Sequence, residues 1–338
     1  MRSVPLAAFS LSALIALALA LAACGGDGGG DGTITVYSGR EEELVAPLFD
    51  RYEEETGTEL EVRYGDTAEL AATLIEEGDN SPAEVFFSQD AGALGALENE
   101  ELLAELDDQT LNRVAERYRS QDGRWVGTSG RARVVAYNSE KLSESDLPDS
   151  ILDFTDSKWK GRIGWAPTNG SFQAFVTAMR LTEGEEATED WLRGIAANDP
   201  VVFDDNEAIR DAIASGEIDL GFINHYYVAQ AIEEEGEDYP VRVYHPRGGD
   251  VGSLINVAGA GIVAAGDNED AAEFVEFLLT EGSQRFFSEE TKEYPLVDGI
   301  PADPAVVPLE QIEQPAVKLG ELDDLEGTLE LLQRSGAL

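Results

Sequence analysis

Beyond residue 32 the chain alternates short apolar runs with longer stretches whose apolar residues recur at helical spacing. Thr33 to Tyr37 is rich in β-branched side chains and predicts a strand. Leu44, Val45, Leu48, Phe49 and Tyr52 then share one face of a helix that Gly57 ends. A second strand, Glu59 to Tyr64, leads into Asp66-Thr67-Ala68-Glu69, a capping-box-like start for a helix reaching Glu77. Glu84 to Ser88 is the third strand. This β-α-β-α-β order predicts a parallel sheet with helices packed on it.

The rhythm returns further along. Arg162 to Trp165 reads as a strand before a helix that starts after Gly170, and Val201-Val202-Phe203 precedes a helix from about Asn206. Ile218 to Ile223 is a strand followed by a helix near His225. A strand over Gly261 to Ala265 and a helix over Asp270 to Leu279 return to the first sheet, with Gly259-Ala260-Gly261 placed before that strand. A helix around Leu325 to Leu332 closes the chain. The expected fold is α/β: two lobes, each a mixed sheet flanked by helices, with a ligand cleft between them. Extended segments such as Arg133 to Asn138 join the lobes. The first lobe takes residues 33–131 and about 257–307, the second about 132–256 and 308–338. Ligands in open α/β sheets bind beyond the carboxyl ends of strands. The residues to watch are therefore Ser38 to Glu41, Ser88 to Asp90, Thr168 to Phe172 and Asn224 to Tyr227.

The first residues change the picture of location. Arg2 precedes an apolar run from Pro5 to Ala23, the layout of a secretory signal over residues 1–23. Leu21-Ala22-Ala23-Cys24 resembles a bacterial lipobox, after which residues 24–32 form a lipidated cysteine and a glycine-rich tether. Residues 33 to 338 are thus expected outside the cytoplasm, held to the membrane by a lipid on Cys24. As the sole cysteine, Cys24 leaves the rest of the chain without a disulfide, a thiol nucleophile or a cysteine metal site. The 68 acidic against 23 basic residues give a net charge of −45, which repels nucleic acid and anionic headgroups. Such a surface suits a monomer kept soluble in concentrated salt.

Catalytic signals are thin. There are two histidines, His225 and His245, and no Gly-x-Ser-x-Gly elbow, HExxH or phosphate loop follows a strand. The informative dipeptide is Tyr226-Tyr227 at a strand-to-helix junction. A phenol, with a pKa near about 10, ionises at neutral pH only beside a strong cation, and Fe3+ is a hard ion that favours anionic oxygen. As aromatics closing a lobe the same pair needs no ligand. Thr168-Asn169-Gly170-Ser171-Phe172 opens a helix whose free N–H groups suit an anion, or simply cap it. Arg131 and Arg133 sit at the expected hinge, available to an anion or to neighbouring carboxylates.

Together these segments resemble the ferric-ion-binding substrate-binding proteins of bacterial ABC transporters, the bacterial transferrins. The likeness runs from about Thr33 to the C-terminus. It is carried by Val36-Tyr37-Ser38-Gly39-Arg40, Pro82-Ala83-Glu84-Val85-Phe86-Phe87, Ser129-Gly130-Arg131-Ala132-Arg133-Val134-Val135, Trp159-Lys160-Gly161-Arg162-Ile163-Gly164, Ile223-Asn224-His225-Tyr226-Tyr227 and Glu293-Tyr294-Pro295-Leu296. The resemblance implies a protein that is not an enzyme: it captures Fe3+ and delivers it to a membrane permease. It implies Tyr226 and Tyr227 as metal ligands. It also implies a synergistic phosphate or carbonate at Asn169, Gly170, Ser171, Asn206 and Asn224, with Arg131 as a further anion contact. Two positions depart from the family pattern. Glu41 stands where many members have histidine, an optional oxygen ligand, and Gln89 stands where many have glutamate, a poor ligand for a hard trivalent ion. The alternative is a related binding protein for an organic anion such as a phosphorylated sugar. A secreted hydrolase using carboxylates is a third reading, for which the sequence offers no organised site.

Overall fold

The computed structural model describes residues 32–266 and 269–338; the signal segment and Cys24 lie outside the described residues. Strands β1 (Thr33–Ser38), β2 (Glu59–Tyr64), β3 (Val85–Ser88), β4 (Val126–Asn138), β5 (Ile163–Trp165), β6 (Val201–Val202), β7 (Leu220–Asn224), β8 (Val241–Tyr244), β9 (Ile255–Ile262) and β10 (Tyr294–Pro295) build one mixed sheet. Its order is β2-β1-β3-β9-β4-β7-β5-β6, with β8 and β10 also on β4. Pairing is parallel among β1, β2 and β3 and among β5, β6 and β7, while β9 and β4 run antiparallel to their neighbours.

The flanking helices are α1 (Glu42–Thr56), α2 (Thr67–Glu77), α3 (Ala91–Asn99), α4 (Asp108–Leu111), α5 (Gly170–Glu183) and α6 (Glu185–Ala197). They continue as α7 (Asn206–Ser215), α8 (Tyr226–Glu235), α9 (Glu269–Leu278), α10 (Glu281–Glu289) and α11 (Leu325–Ser335). The predicted end of α1 is present: Gly57 takes φ 78° and its N–H reaches the Glu53 carbonyl at 2.9 Å. Asp66 caps α2 by accepting from the amides of Ala68 and Glu69. No helix among the described residues is long and apolar enough to cross a membrane.

β4 organises the molecule. Its first half, from Val126 to Ala132, pairs with β9, and its second half, from Arg133 onward, pairs with β7 and β8. All 13 residues are buried, so small and polar side chains such as Thr128, Ser129 and Arg131 occupy sheet interior. That polar half escaped the sequence reading, which began the segment at Arg133, because burial there comes from partners distant in sequence. On one side of the switch Phe49, Tyr52 and Phe274 pack ring to ring; on the other Phe154, Phe222 and Trp191 do so.

One strand is corrected. The expected strand over Gly261 to Ala265 lies earlier, at Ile255–Ile262, and 264–266 form a single 3-10 turn. Gly259 and Gly261 are inside it because the sheet leaves no room for a Cβ. At Gly259 one would meet Leu94 and the Val126 carbonyl at 2.8 Å, and at Gly261 the Leu103 side chain at 3.0 Å.

Candidate metal centre

The tyrosine pair sits where β7 turns into α8. β7 is held in register by β4, with Arg133 opposite Asn224. His225 then clips the turn to the same strand: its amide donates to the Ala132 carbonyl at 3.0 Å, and its Nδ1 accepts the Ala132 amide at 3.1 Å. Nδ1 as acceptor requires a neutral ring, and burial, then His245, hold its pKa down to about 3. Tyr294 stacks on the imidazole with centroids 4.4 Å apart. The two phenol rings that follow converge, with centroids 4.2 Å apart and planes at 31°. Tyr226 is 5% exposed and Tyr227 half-buried.

Burial raises both phenol pKa values, that of Tyr226 well above the ordinary range. Neither is a phenolate without a cation at hand. The surroundings are arranged for negative charge nonetheless. Arg40, Arg131 and Arg133 are all buried, with Glu293 buried among them and Asp90 acting on Arg131 from the end of β3. Glu293 accepts from Arg40 Nη2 at 2.8 Å, Ser129 Oγ at 2.8 Å and Thr291 Oγ1 at 3.3 Å, with Arg131 Nε 3.8 Å away. Burial alone would lower the Arg40 pKa, but the Glu293 charge keeps it raised; burial and then the Arg40 charge lower that of Arg131. Arg133 faces no carboxylate, and burial lowers its pKa to about 9, with Tyr227 and Tyr226 acting in the opposite direction. Arg40 Nη1, Arg131 Nε and Nη1, and Arg133 Nε have no hydrogen-bond partner among the described residues. In a chain of net charge −45, this pocket gathers three buried arginines, with Glu293 acting on Arg40 and Arg131 and Asp90 on Arg131 alone.

The expected anion residues gather beside the phenols. Asn169 caps α5, accepting from the Ser171 amide at 3.1 Å and its Oγ at 2.6 Å. Asn206, at the start of α7, donates to Ser171 Oγ at 3.3 Å and Asn169 Oδ1 at 3.4 Å. Gly170 opens α5 with no atom within 4 Å of a Cβ added there. Asn224 and Arg131 line a small void of about 10 Å3 with Arg133 and Ser171, the scale of one water or one small anion oxygen. Arg133, which the sequence offered at the hinge to an anion or to carboxylates alike, meets no carboxylate here. It donates to Ser171 Oγ at 3.3 Å, Asn206 Oδ1 at 3.5 Å and the Phe222 carbonyl at 2.5 Å, so it ties the group together. Glu293 was also missed as a site residue, for nothing local separates one buried glutamate from dozens of solvated acids.

The β1 and β3 ends are less committed. Glu41 is exposed at the start of α1, makes no capping bond, and lies close enough to Tyr227 for its charge to raise that phenol's pKa. Gln89 is half-buried. Both line a cavity of about 950 Å3 with Arg40, Arg131, Asn169 and Ser171, a lining to which neither Tyr226 nor Tyr227 contributes. Among the described residues no three His, Cys, Asp or Glu side chains form a metal-holding cluster. A metal here would depend on phenolate oxygen.

Residues 80–323 match the family model described as bacterial extracellular solute-binding protein. The chain belongs to this family. Among curated members, the Fe(3+)-binding periplasmic protein of Serratia marcescens is 32% identical over 308 residues, covering 90% of each chain. The major ferric iron-binding protein of Neisseria meningitidis is 34% identical over 307 residues, 90% of this chain and 92% of that one. Among solved structures, iron-bound HitA of Pseudomonas aeruginosa superposes with a TM-score of 0.85 at 33% identity, covering 90% of this chain and 99% of the other. A Trichodesmium protein solved with iron and citrate gives 0.79 at 29% identity, with 90% and 99% covered. These solute-binding proteins are two-lobed and serve iron transport; they are not enzymes.

Proposed function

We propose that this chain is an extracytoplasmic carrier that captures Fe3+ together with an anion and delivers it to the membrane permease of an ABC transporter. One observation carries the reading: two phenols with ring centroids 4.2 Å apart, one buried and one half-buried, converge beside three buried arginines. Bringing Fe3+ to that spot drives off both phenol protons, and the arginines offset the phenolate charges. Tyr226 and Tyr227 are the metal ligands, with Glu41 an optional third and Gln89 outside the coordination sphere. Asn169, Gly170, Ser171, Asn206, Asn224 and Arg131 hold the synergistic anion, phosphate or carbonate, with Arg133 added to that set. The Trichodesmium relative, solved with both iron and citrate, supports an oxyanion accompanying the metal.

The lobes in this reading are 33–131 with 257–307, and 132–256 with 308–338, hinged where β4 changes partners between Ala132 and Arg133. The carrier works as a monomer anchored through a lipid on Cys24, within reach of its permease. Ferric citrate added to the purified apo protein is expected to produce a visible iron–phenolate charge-transfer band. The band should vanish in Tyr226→Phe and Tyr227→Phe. The unpartnered arginine N–H groups also suit the alternative, a phosphorylated sugar. No band, with thermal stabilisation by a sugar phosphate, would establish that alternative instead.

A further inference from the structure

His225, Val228, Ala229 and Ile232 share one face of the turn into α8 and of the helix itself, by their i, i+3, i+4 and i+7 spacing. That face excludes Tyr226 and Tyr227, and it lines a separate void of about 190 Å3. Val243 of β8, Val306, Val307 and the Tyr294 ring supply further apolar wall, and the exposed Ala305 stands at the rim. His245 lines the void too, so the two histidines of the chain border one cavity. They are near enough for His245 to act electrostatically on His225.

His225 Nε2 and both ring nitrogens of His245 are buried with no hydrogen-bond partner among the described residues. The Lys292 carbonyl acts on His225 but lies outside hydrogen-bond geometry. Since His225 Nδ1 accepts the Ala132 amide, Nε2 carries the proton of the neutral ring. It can donate a hydrogen bond and has no lone pair to offer a metal. His245, its pKa lowered to about 4 by burial, is neutral and keeps one donor and one acceptor nitrogen. Arg242 also lines the void, but its guanidinium donates to the carbonyls of Tyr239, Val241 and Glu237. This lining favours an uncharged occupant over a carboxylate or a cation.

We propose that the void is a second binding site, for an uncharged hydroxylated molecule about the size of phenol. Its oxygen accepts from His225 Nε2, its O–H donates to a His245 nitrogen, and its carbon skeleton lies on the valine wall. Apolar cavities of roughly 150 Å3 take up benzene, so the volume suffices. The site lies apart from the phenols and needs no iron.

Titrating 4-fluorophenol with the purified apo protein, followed by 19F NMR, should give a saturable shift. Fluorobenzene, which lacks the hydroxyl, should bind about tenfold more weakly, the worth of one hydrogen bond. His245→Leu should bring the two within about twofold of each other. Ala229→Leu, on the buried face of α8, fills the void and should abolish the shift. Ala305→Phe does so from an exposed position should Ala229→Leu fold poorly. No saturable shift means that the void holds only water, and overturns the site. Equal affinities in the wild-type protein, a preference that survives His245→Leu, or a shift that survives both alanine variants overturns it as well.

Discussion

Replacing Arg133 with methionine should make the apo protein more stable and the carrier worse. The side chain is 3% exposed, and no carboxylate compensates its charge. A pKa near 9 against 12.5 in water means that holding this guanidinium charged in the fold costs about 5 kcal/mol, at 1.36 kcal/mol per decade. Methionine removes that cost and fills similar volume between Phe172 and Phe175, over whose rings the guanidinium lies at 5.5 Å. Against this, the Phe222 carbonyl loses its donor, worth about 1–3 kcal/mol, and the ring contacts lose about 0.5–1 kcal/mol each. Urea denaturation of the apo protein should therefore show a gain on the order of 1–2 kcal/mol. Iron uptake from ferric citrate should weaken by about 2–5 kcal/mol, the usual cost of deleting a buried charge that faces an anion. Stability lost by more than 2 kcal/mol, with unchanged iron affinity, would refute the reasoning and reduce Arg133 to a structural tie.

Glu293→Gln leaves Arg40 and Arg131 without their shared carboxylate; calorimetry should show a loss of about 3–5 kcal/mol, with Ser129→Ala much milder. Gly92→Ala places a Cβ 2.3 Å from the Leu322 carbonyl, so the 319–324 segment must shift off α3; a loss of about 1–3 kcal/mol in a chemical denaturation curve is expected. His245 has its pKa lowered to about 4 by burial, so above pH 6.5 it is neutral in both folded and unfolded chains. Between pH 6.5 and 4 the unfolded chain binds a proton that the folded one refuses, and stability falls by up to about 3 kcal/mol. His245→Leu should lack that component when denaturation midpoints at pH 7 and pH 4.5 are compared with wild type.

Much of this protein was legible in its residue order. The strands β1, β2 and β3 and the helices between them follow from local patterning: β-branched runs, a helical apolar stripe, Asp66 as a cap and Gly57 as a stop. Tyr226-Tyr227 at a strand end, and Asn169 and Ser171 at a helix start, stood out because their position relative to an element is itself a sequence property. Such features rest on interactions within a few residues, which the chain carries with it wherever it goes.

The tertiary structure decided what depends on distant partners. It placed Gly259 and Gly261 inside β9, because sheet neighbours crowd out any side chain there. It set Arg40, Arg131 and Glu293, separated by up to 253 positions, into one buried network, and it aimed Arg133 at Ser171 and Asn206. In sequence these are four charged residues among many in a strongly acidic chain. Only the fold excludes water from them, and the loss of solvent turns an ordinary arginine into an uncompensated charge that an anion or a pair of phenolates can answer.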